Sequence, residues 1–408
     1  MMRWKSSLLV SIAATGLLCL EAHAAPRDTA KRMFSRITGV AAPSTAIIDQ
    51  MEAHIEANKP EEAAKIAVDH TAFLSVRLVN LFRPFTNEEA SVDGPLNDTI
   101  VTLIGCVNDS TCDFFKILSD DIIYTGSDIQ TPYATTNNTH YEEMTQQLDP
   151  LGGGTGFNLK TDLIKGKQST VTGMPAGGVS GVLSTRGFAQ TFFFDGTNRA
   201  VIKFAYRYFL EKELESFHDN TVEDSSIRAD VDRAPGGDSN LFISKCSGCH
   251  SGMDAMGDFA AYYDFKPGQS ETPEDGFLEY TPGVVQPKMN RNVSVFPDAR
   301  RVVDDKWINK WVTGKNEIIG WRGNIVNGQI AGQGLSAWGE MLARTNAFSD
   351  AFAFYAVKHV CNVTPQTAAN PKAKKQIELA IHQMGQDFRD KHKNFKQLFI
   401  DAAVKCIK

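Results

Sequence analysis

The chain has 408 residues, 42% of them hydrophobic and 22% charged, with a formal net charge of −6, which is enough apolar sequence for one large or two ordinary domains with real cores. Its mild acidity, 42 basic against 48 acidic residues, disfavours nucleic acid as a partner, because phosphate binding needs a concentrated basic surface.

Residues 1–24 read as a signal peptide. Met1-Met2-Arg3-Trp4-Lys5 is a basic start, Leu8 to Leu20 is apolar, and Ala22-His23-Ala24 is a small-x-small cleavage site. Cleavage after Ala24 would export the mature chain to the periplasm or otherwise out of the cytoplasm. An uncleaved anchor is disfavoured because the apolar stretch falls short of the roughly 20 residues a bilayer span needs. Lipidation at Cys19 is disfavoured because Leu18 is not small. No later segment is apolar enough to span a membrane.

The mature sequence divides into four regions and reads as mainly α, with helical modules on either side of a loop-rich middle. Residues 25–118 form an N-terminal helical region. Asp28 to Ile37 has helical spacing, Ile47, Ile48, Met51 and Ile55 repeat it, and Ala63 to Phe82 resumes it after Asn58-Lys59-Pro60. A further apolar block runs from Asp98 to Leu118. Residues 119–187 turn to Thr, Asn, Gly and Pro clusters and read as a long loop region with a short hairpin. Such a length without structure suggests a cover or a ligand-lining segment. Its Gly166-Lys167-Gln168 lacks the pattern of a phosphate-binding loop.

Residues 188–303 begin with an aromatic-rich helix, Phe188 to Leu214, and continue into the segment that holds Cys246 and Cys249. Residues 304–408 return to helices at Asp304–Val312, Ser336–Cys361, Ala373–Met384 and Asn394–Cys406. Trp307 and Trp311 would share a helical face and, with Trp321 and Trp338, form an aromatic half that reads first as core and second as the edge of a flat cofactor.

Six of the seven cysteines follow the signal segment. An even number in an exported chain suggests pairing. Setting aside Cys246 and Cys249 leaves three connectivities, of which Cys106–Cys112 and Cys361–Cys406 are preferred. The first closes a turn-forming CVNDSTC loop, and the second joins two helices, with Cys406 on the apolar stripe of the last one. Four free buried thiols are the alternative.

Cys246-Ser247-Gly248-Cys249-His250 is the C-x-x-C-H signature of covalent haem attachment. The two thiols add to the two vinyl groups on one edge of a porphyrin, and the adjacent histidine reaches the iron. The motif occurs once, so one haem c is expected. A redox CxxC or half a zinc site competes, but no second CxxC or nearby His pair accompanies it.

Met289, 39 residues after His250 in Gln286-Pro287-Lys288-Met289-Asn290, is the candidate sixth ligand, and a thioether there would raise the potential. A packing methionine is the bland alternative. Met253 and Met256 are less favoured alternatives, because three or six residues after His250 hardly let the chain round the ring edge; His218 and His359 are fallbacks, and an open sixth position would imply ligand or peroxide chemistry. Arg199, Arg291, Arg300 and Arg301 are candidates to pair with haem propionates.

The run CSGCHSGMDAMG at Cys246 to Gly257 resembles the CxxCHxxMDxxG segment of the planctomycete-type exported c-type cytochrome families of unknown function. The likeness extends to Gly181-Val182-Leu183-Ser184, GTNRA at Gly196 to Ala200, PGGDS at Pro235 to Ser239, LARTNAFSDAF at Leu342 to Phe352 and the closing helical pair. Ala255 departs from it where proline is common. The resemblance implies a mostly helical fold and haem binding by Cys246, Cys249 and His250, with electron transfer but no substrate.

The expectation is an exported monohaem c-type cytochrome that serves an unidentified redox partner protein. The alternative is a haem-dependent oxidoreductase or peroxidase-like enzyme, and a third reading is an envelope protein whose haem is structural. No base and nucleophile constellation decides for an enzyme, since Asp195, Glu213 and Glu215 read as solvated.

Overall fold

Proline and helical spacing set the first helices. In the computed structural model, which describes residues 25–87, 94–268, 273–392 and 394–407, Pro26 opens α1 (Pro26–Thr38) and Pro60 opens α3 (Pro60–Val68), in the first turn where a missing N–H costs nothing. Between them α2 (Thr45–Glu56) buries Ile48 and Met51. The expected signal segment, with Cys19, lies outside the described residues.

Ala63 to Phe82 is not the single helix its spacing predicts. α3 stops at Val68, and the chain resumes as a π-helical turn, Phe73–Leu78, that runs into α4 (Val79–Phe82). At the break His70 Nδ1 accepts from the Ala72 N–H at 3.1 Å, a local bond that competes with helix continuation. α5 (Asp98–Asn108) starts on Asn97, whose Oδ1 accepts from Ile100 N–H at 3.1 Å.

The segment 119–187 carries more structure than a loop. β1 (Ile123–Gly126) pairs antiparallel with β2 (Leu163–Gly166), Ile123 opposite Gly166. Their connection is no hairpin, because it holds α6 (Thr139–Gln146), while α7 (Gln168–Thr172) follows β2. Tyr141, Met144, Phe157 and Leu159 join the main core. The glycine run there is organised by Asp149, whose carboxylate accepts from the N–H groups of Leu151, Gly152 and Gly154 at 3.2, 2.9 and 2.6 Å. A carboxylate of the chain itself thus takes the backbone N–H groups that an external anion would need.

Phe188 to Leu214 is two helices, α8 (Arg186–Phe192) and α9 (Arg199–Leu210), parted by a turn in which Asp195, Gly196 and Asn198 all take positive φ. The short α10 (Ser239–Leu241) passes through a π-helical turn, Phe242–Cys246, into α11 (Ser247–Met256). β3 (Tyr263–Lys266) and β4 (Phe277–Tyr280) form a second antiparallel pair.

The helix expected at Asp304–Val312 is a strand. β5 (Lys306–Asn309) pairs antiparallel with β6 (Ile330–Gln333), and its side chains alternate, Trp307 and Asn309 buried and Ile308 exposed. Trp307 and Trp311 therefore share no helical face. Trp307 lies against Gly332 across the pair, where a Cβ would come within 2.3 Å of the indole. Ser336–Cys361 is likewise two helices, α12 (Gly334–Ala343) and α13 (Asn346–Cys361). Thr345 divides them, its Oγ1 accepting from Phe348 N–H at 3.1 Å.

The last two helices are α14 (Pro371–Asp387) and α15 (Phe395–Cys406). Among the described residues the fold is mainly helical with three small sheets, and one hydrophobic cluster runs from Ala30 to Ile407. Disulfides join Cys106 to Cys112 and Cys361 to Cys406, the second tying α13 to α15. Among the described residues no helix is long and apolar enough to cross a membrane.

Candidate functional site

The approach to α11 determines which way its chemistry faces. Asp238 caps the turn, accepting from Asn240 N–H at 2.8 Å, and the helical chain then presents Ile243, Cys246 and His250 at i, i+3 and i+7, with Cys249 beside them. Cys246 and Cys249 are free thiols, each partly exposed, and the His250 side chain is 22% exposed. Ile243 is 59% exposed on the same stripe. The outer face of one helix thus combines two thiols, an imidazole and an apolar side chain.

The opposite face is locked into the core. Gly252 lies against Trp311, where a Cβ would sit 2.1 Å from Cε2, and Gly248 lies against His218 and Asn220. Trp311 packs in turn on Phe217 at 5.1 Å, and Trp338 stacks on Phe259 at 4.1 Å. These tryptophans are core.

Beneath His250 lies a buried charge cluster. His250 Nδ1 is 3.2 Å from Asp254 Oδ1, and Asp254 is wholly buried. Its carboxylate also accepts from Arg199 Nε at 2.7 Å, Arg199 Nη2 at 3.0 Å and the Arg228 backbone N–H at 3.0 Å. Arg199 reaches on to Asp230, its Nη2 donating to Oδ1 at 2.8 Å. Arg228 Nε stands 3.5 Å from that same Oδ1, as an ion pair only. Burial opposes the charge on Asp254, yet Arg199, the His250 bond and Arg228 together hold its carboxyl far below the usual carboxylate range. Two carboxylates facing two guanidinium groups leave the cluster balanced.

Of the remaining sequence candidates, Met289 is wholly buried in a separate small cluster with Ala261, Tyr262 and Val302. Its Sδ is 3.5 Å from Arg228 Nη1 and 3.9 Å from Asn198 Nδ2, both donors. Met253 and Met256 are buried on α11, Met256 accepting from the Tyr206 hydroxyl at 3.3 Å. His218 meets α11 at Gly248, roughly 200° around the helix from Cys246, and its buried Nε2 has no partner among the described residues. His359 pairs with Arg77 at 3.2 Å, in another part of the core. Arg199 and Arg300 bind the carboxylates of Asp230, Asp254 and Asp258, while Arg291 and Arg301 are exposed.

The donor set discriminates among chemistries. Four cysteines pair and these two stay free. Burial pushes the Cys249 thiol up, opposite to the lowered pKa of a reactive redox cysteine. Among the described residues no three His, Cys, Asp or Glu side chains converge to hold a metal ion, as a zinc site would require. What remains is one imidazole whose Nε2 receives no hydrogen bond from the described residues, flanked by two thiols and an exposed isoleucine. Such a set fits a flat apolar group that brings its own ring of metal donors and asks the chain for one more.

Sequence reading named Asp254 only within the resembling segment and missed Arg228 and Asp230. The i, i+4 spacing of His250 and Asp254 was the available signal, whereas Ile227 to Arg233 has no period to announce it. A cavity of about 240 Å³ beside segment 119–187 is lined by Tyr133, Met174, Ser184, Arg186 and Tyr280. Its Ser184 hydroxyl donates to Gln168 at 2.7 Å and accepts from Ser180 N–H, so its hydrogen bonds among the described residues go to an amide side chain and the backbone. No protein-family model, curated protein or solved structure matches the chain.

Proposed function

We propose that the protein is an exported monohaem c-type cytochrome, with one haem c bound to Cys246 and Cys249, His250 as axial ligand, and electron exchange with a redox partner protein as its task. The observation that carries this is the free His250 Nε2 on the same exposed stripe as the only two unpaired thiols among the described cysteines, with Nδ1 held by Asp254. When bound, haem supplies one-electron iron chemistry. The chain's own part is to anchor the ring edge through the two sulfurs, fix the imidazole, and exclude water with Ile243 and the aromatic core behind α11. The likeness of Cys246 to Gly257 to the planctomycete-type cytochrome families supports the same reading.

A second reading, a haem-dependent oxidoreductase with an open sixth position, is favoured by one observation: Met289 Sδ is engaged by Arg228 and Asn198 in a buried cluster. Visible spectra of the oxidised and reduced holoprotein, with and without Met289→Ala, separate the two. Sharp low-spin bands with a thioether charge-transfer feature lost in the variant support a six-coordinate carrier with Met289 as ligand. A high-spin spectrum that the variant leaves unaltered supports the enzyme reading. A colourless protein matured in a haem-attaching host overturns both.

A further inference from the structure

The buried cluster under α11 does more than a fold requires of it. Burying two carboxylates and two guanidinium groups carries a desolvation cost that an apolar core avoids, and here the cluster terminates on His250, whose side chain is 22% exposed on the outer face of α11. Asp254 is wholly buried, and its two oxygens are shared among His250 Nδ1, Arg199 and the Arg228 backbone N–H. A carboxylate so fixed holds the His250 ring in one orientation and selects the tautomer that carries its proton on Nδ1, leaving Nε2 as the lone-pair donor.

We propose that Asp254 is the positioning residue of the axial histidine and, through the Nδ1 hydrogen bond, makes His250 a more basic, electron-rich ligand that lowers the reduction potential of the haem. The inference rests on the cytochrome reading. Its physical content is charge: a carboxylate hydrogen-bonded to the axial imidazole stabilises oxidised iron over reduced iron, and Arg199 moderates this by sharing the carboxylate. Because the cluster is balanced, single neutral variants uncover charges of opposite sign. Asp254→Asn leaves a positive excess, and Arg199→Gln leaves a negative one. Asp230→Asn changes charge in the same sense as Asp254→Asn but has no bond to His250.

The test is a spectroelectrochemical titration of the holoprotein and these three variants, each checked for its fold by circular dichroism and for retained haem. The potential is expected to rise in Asp254→Asn, to fall in Arg199→Gln, and to rise less in Asp230→Asn than in Asp254→Asn. Shifts of one sign in Asp254→Asn and Arg199→Gln, as from mere loosening of the helix, overturn the proposal. So does an Asp230→Asn shift as large as that of Asp254→Asn, which would make the effect general electrostatics rather than one passing through His250. If Asp254→Asn does not fold, Arg199→Gln decides, a fall supporting the proposal and a rise or no change overturning it. Failure of the unaltered protein to attach haem sinks the cytochrome reading instead, which keeps the two failures apart.

Discussion

Gly252 shows how closely the core holds the helix that bears the thiols. Replacing it by alanine gains about 1 kcal/mol of helix propensity, but the new methyl would stand 2.1 Å from Trp311 Cε2, and Trp311 is wholly buried. Overpacking costs about 1–3 kcal/mol and the indole has no solvent to move into, so crowding wins. Gly252→Ala is expected to lower the urea midpoint, and a midpoint equal to or above that of the unaltered protein would show that Trp311 yields freely. Single residues were unevenly legible in the sequence. Cys246, Cys249 and His250 announce themselves by spacing, but the partners of Asp254 come from Arg199 and from the aperiodic turn around Arg228, which only folding brings together.

Disulfide and cap carry testable weight in the C-terminal helices. Cys361 at the end of α13 and Cys406 at the end of α15 are 45 residues apart, and closing such a loop contributes about 4 kcal/mol in the chain-entropy model. The double variant Cys361→Ser, Cys406→Ser should lose stability of that order in chemical denaturation, and an unchanged midpoint would mean that packing of α13 on α15 alone sets it. Thr345 starts α13 and is itself wholly buried, so Thr345→Ala should cost about 1 kcal/mol by the same measurement; no loss would show the cap to be dispensable. These elements also show where periodicity misleads. Ser336 to Cys361 reads as one helix rich in apolar residues, yet a threonine side chain divides it. Trp307 to Val312 has helical spacing, yet Gly332, more than twenty residues on, offers Trp307 a flat place in a strand pair that local sequence does not reveal. The aromatic and β-branched residues of that segment were the cue that outweighed its period.

Acid should lower the stability of the molecule through at least two groups. His359 is buried beside Arg77, and burial first, then the Arg77 charge, bring its pKa from 6.5 to about 4. The unfolded chain therefore takes up a proton below pH 6.5 that the native one refuses until about pH 4, so stability falls as pH falls through that window, by about 3 kcal/mol at most. His359→Gln should flatten the slope of unfolding free energy between pH 6.5 and 4; an unchanged slope would assign it to other groups. Below that window the depressed carboxyl of Asp254 takes over. Its ionised form is favoured in the native state, so its contribution is present above the ordinary carboxylate range and lost as pH falls below it. The helical class of the whole was readable from spacing and capping, because most elements are amphipathic helices on one core. Segment 119–187 was not, since its order comes from side-chain bonds such as those of Asp149 and from a strand pairing across α6.

The reading of the molecule as a cytochrome turns on a covalent bond, and mass spectrometry of the denatured protein detects it. Matured in a haem-attaching periplasm, the unaltered chain should carry the mass of one haem and keep its red colour on a denaturing gel, and Cys246→Ala, Cys249→Ala should lose both while retaining the two disulfides. A colourless chain of unmodified mass, or haem that dissociates on denaturation, would contradict it.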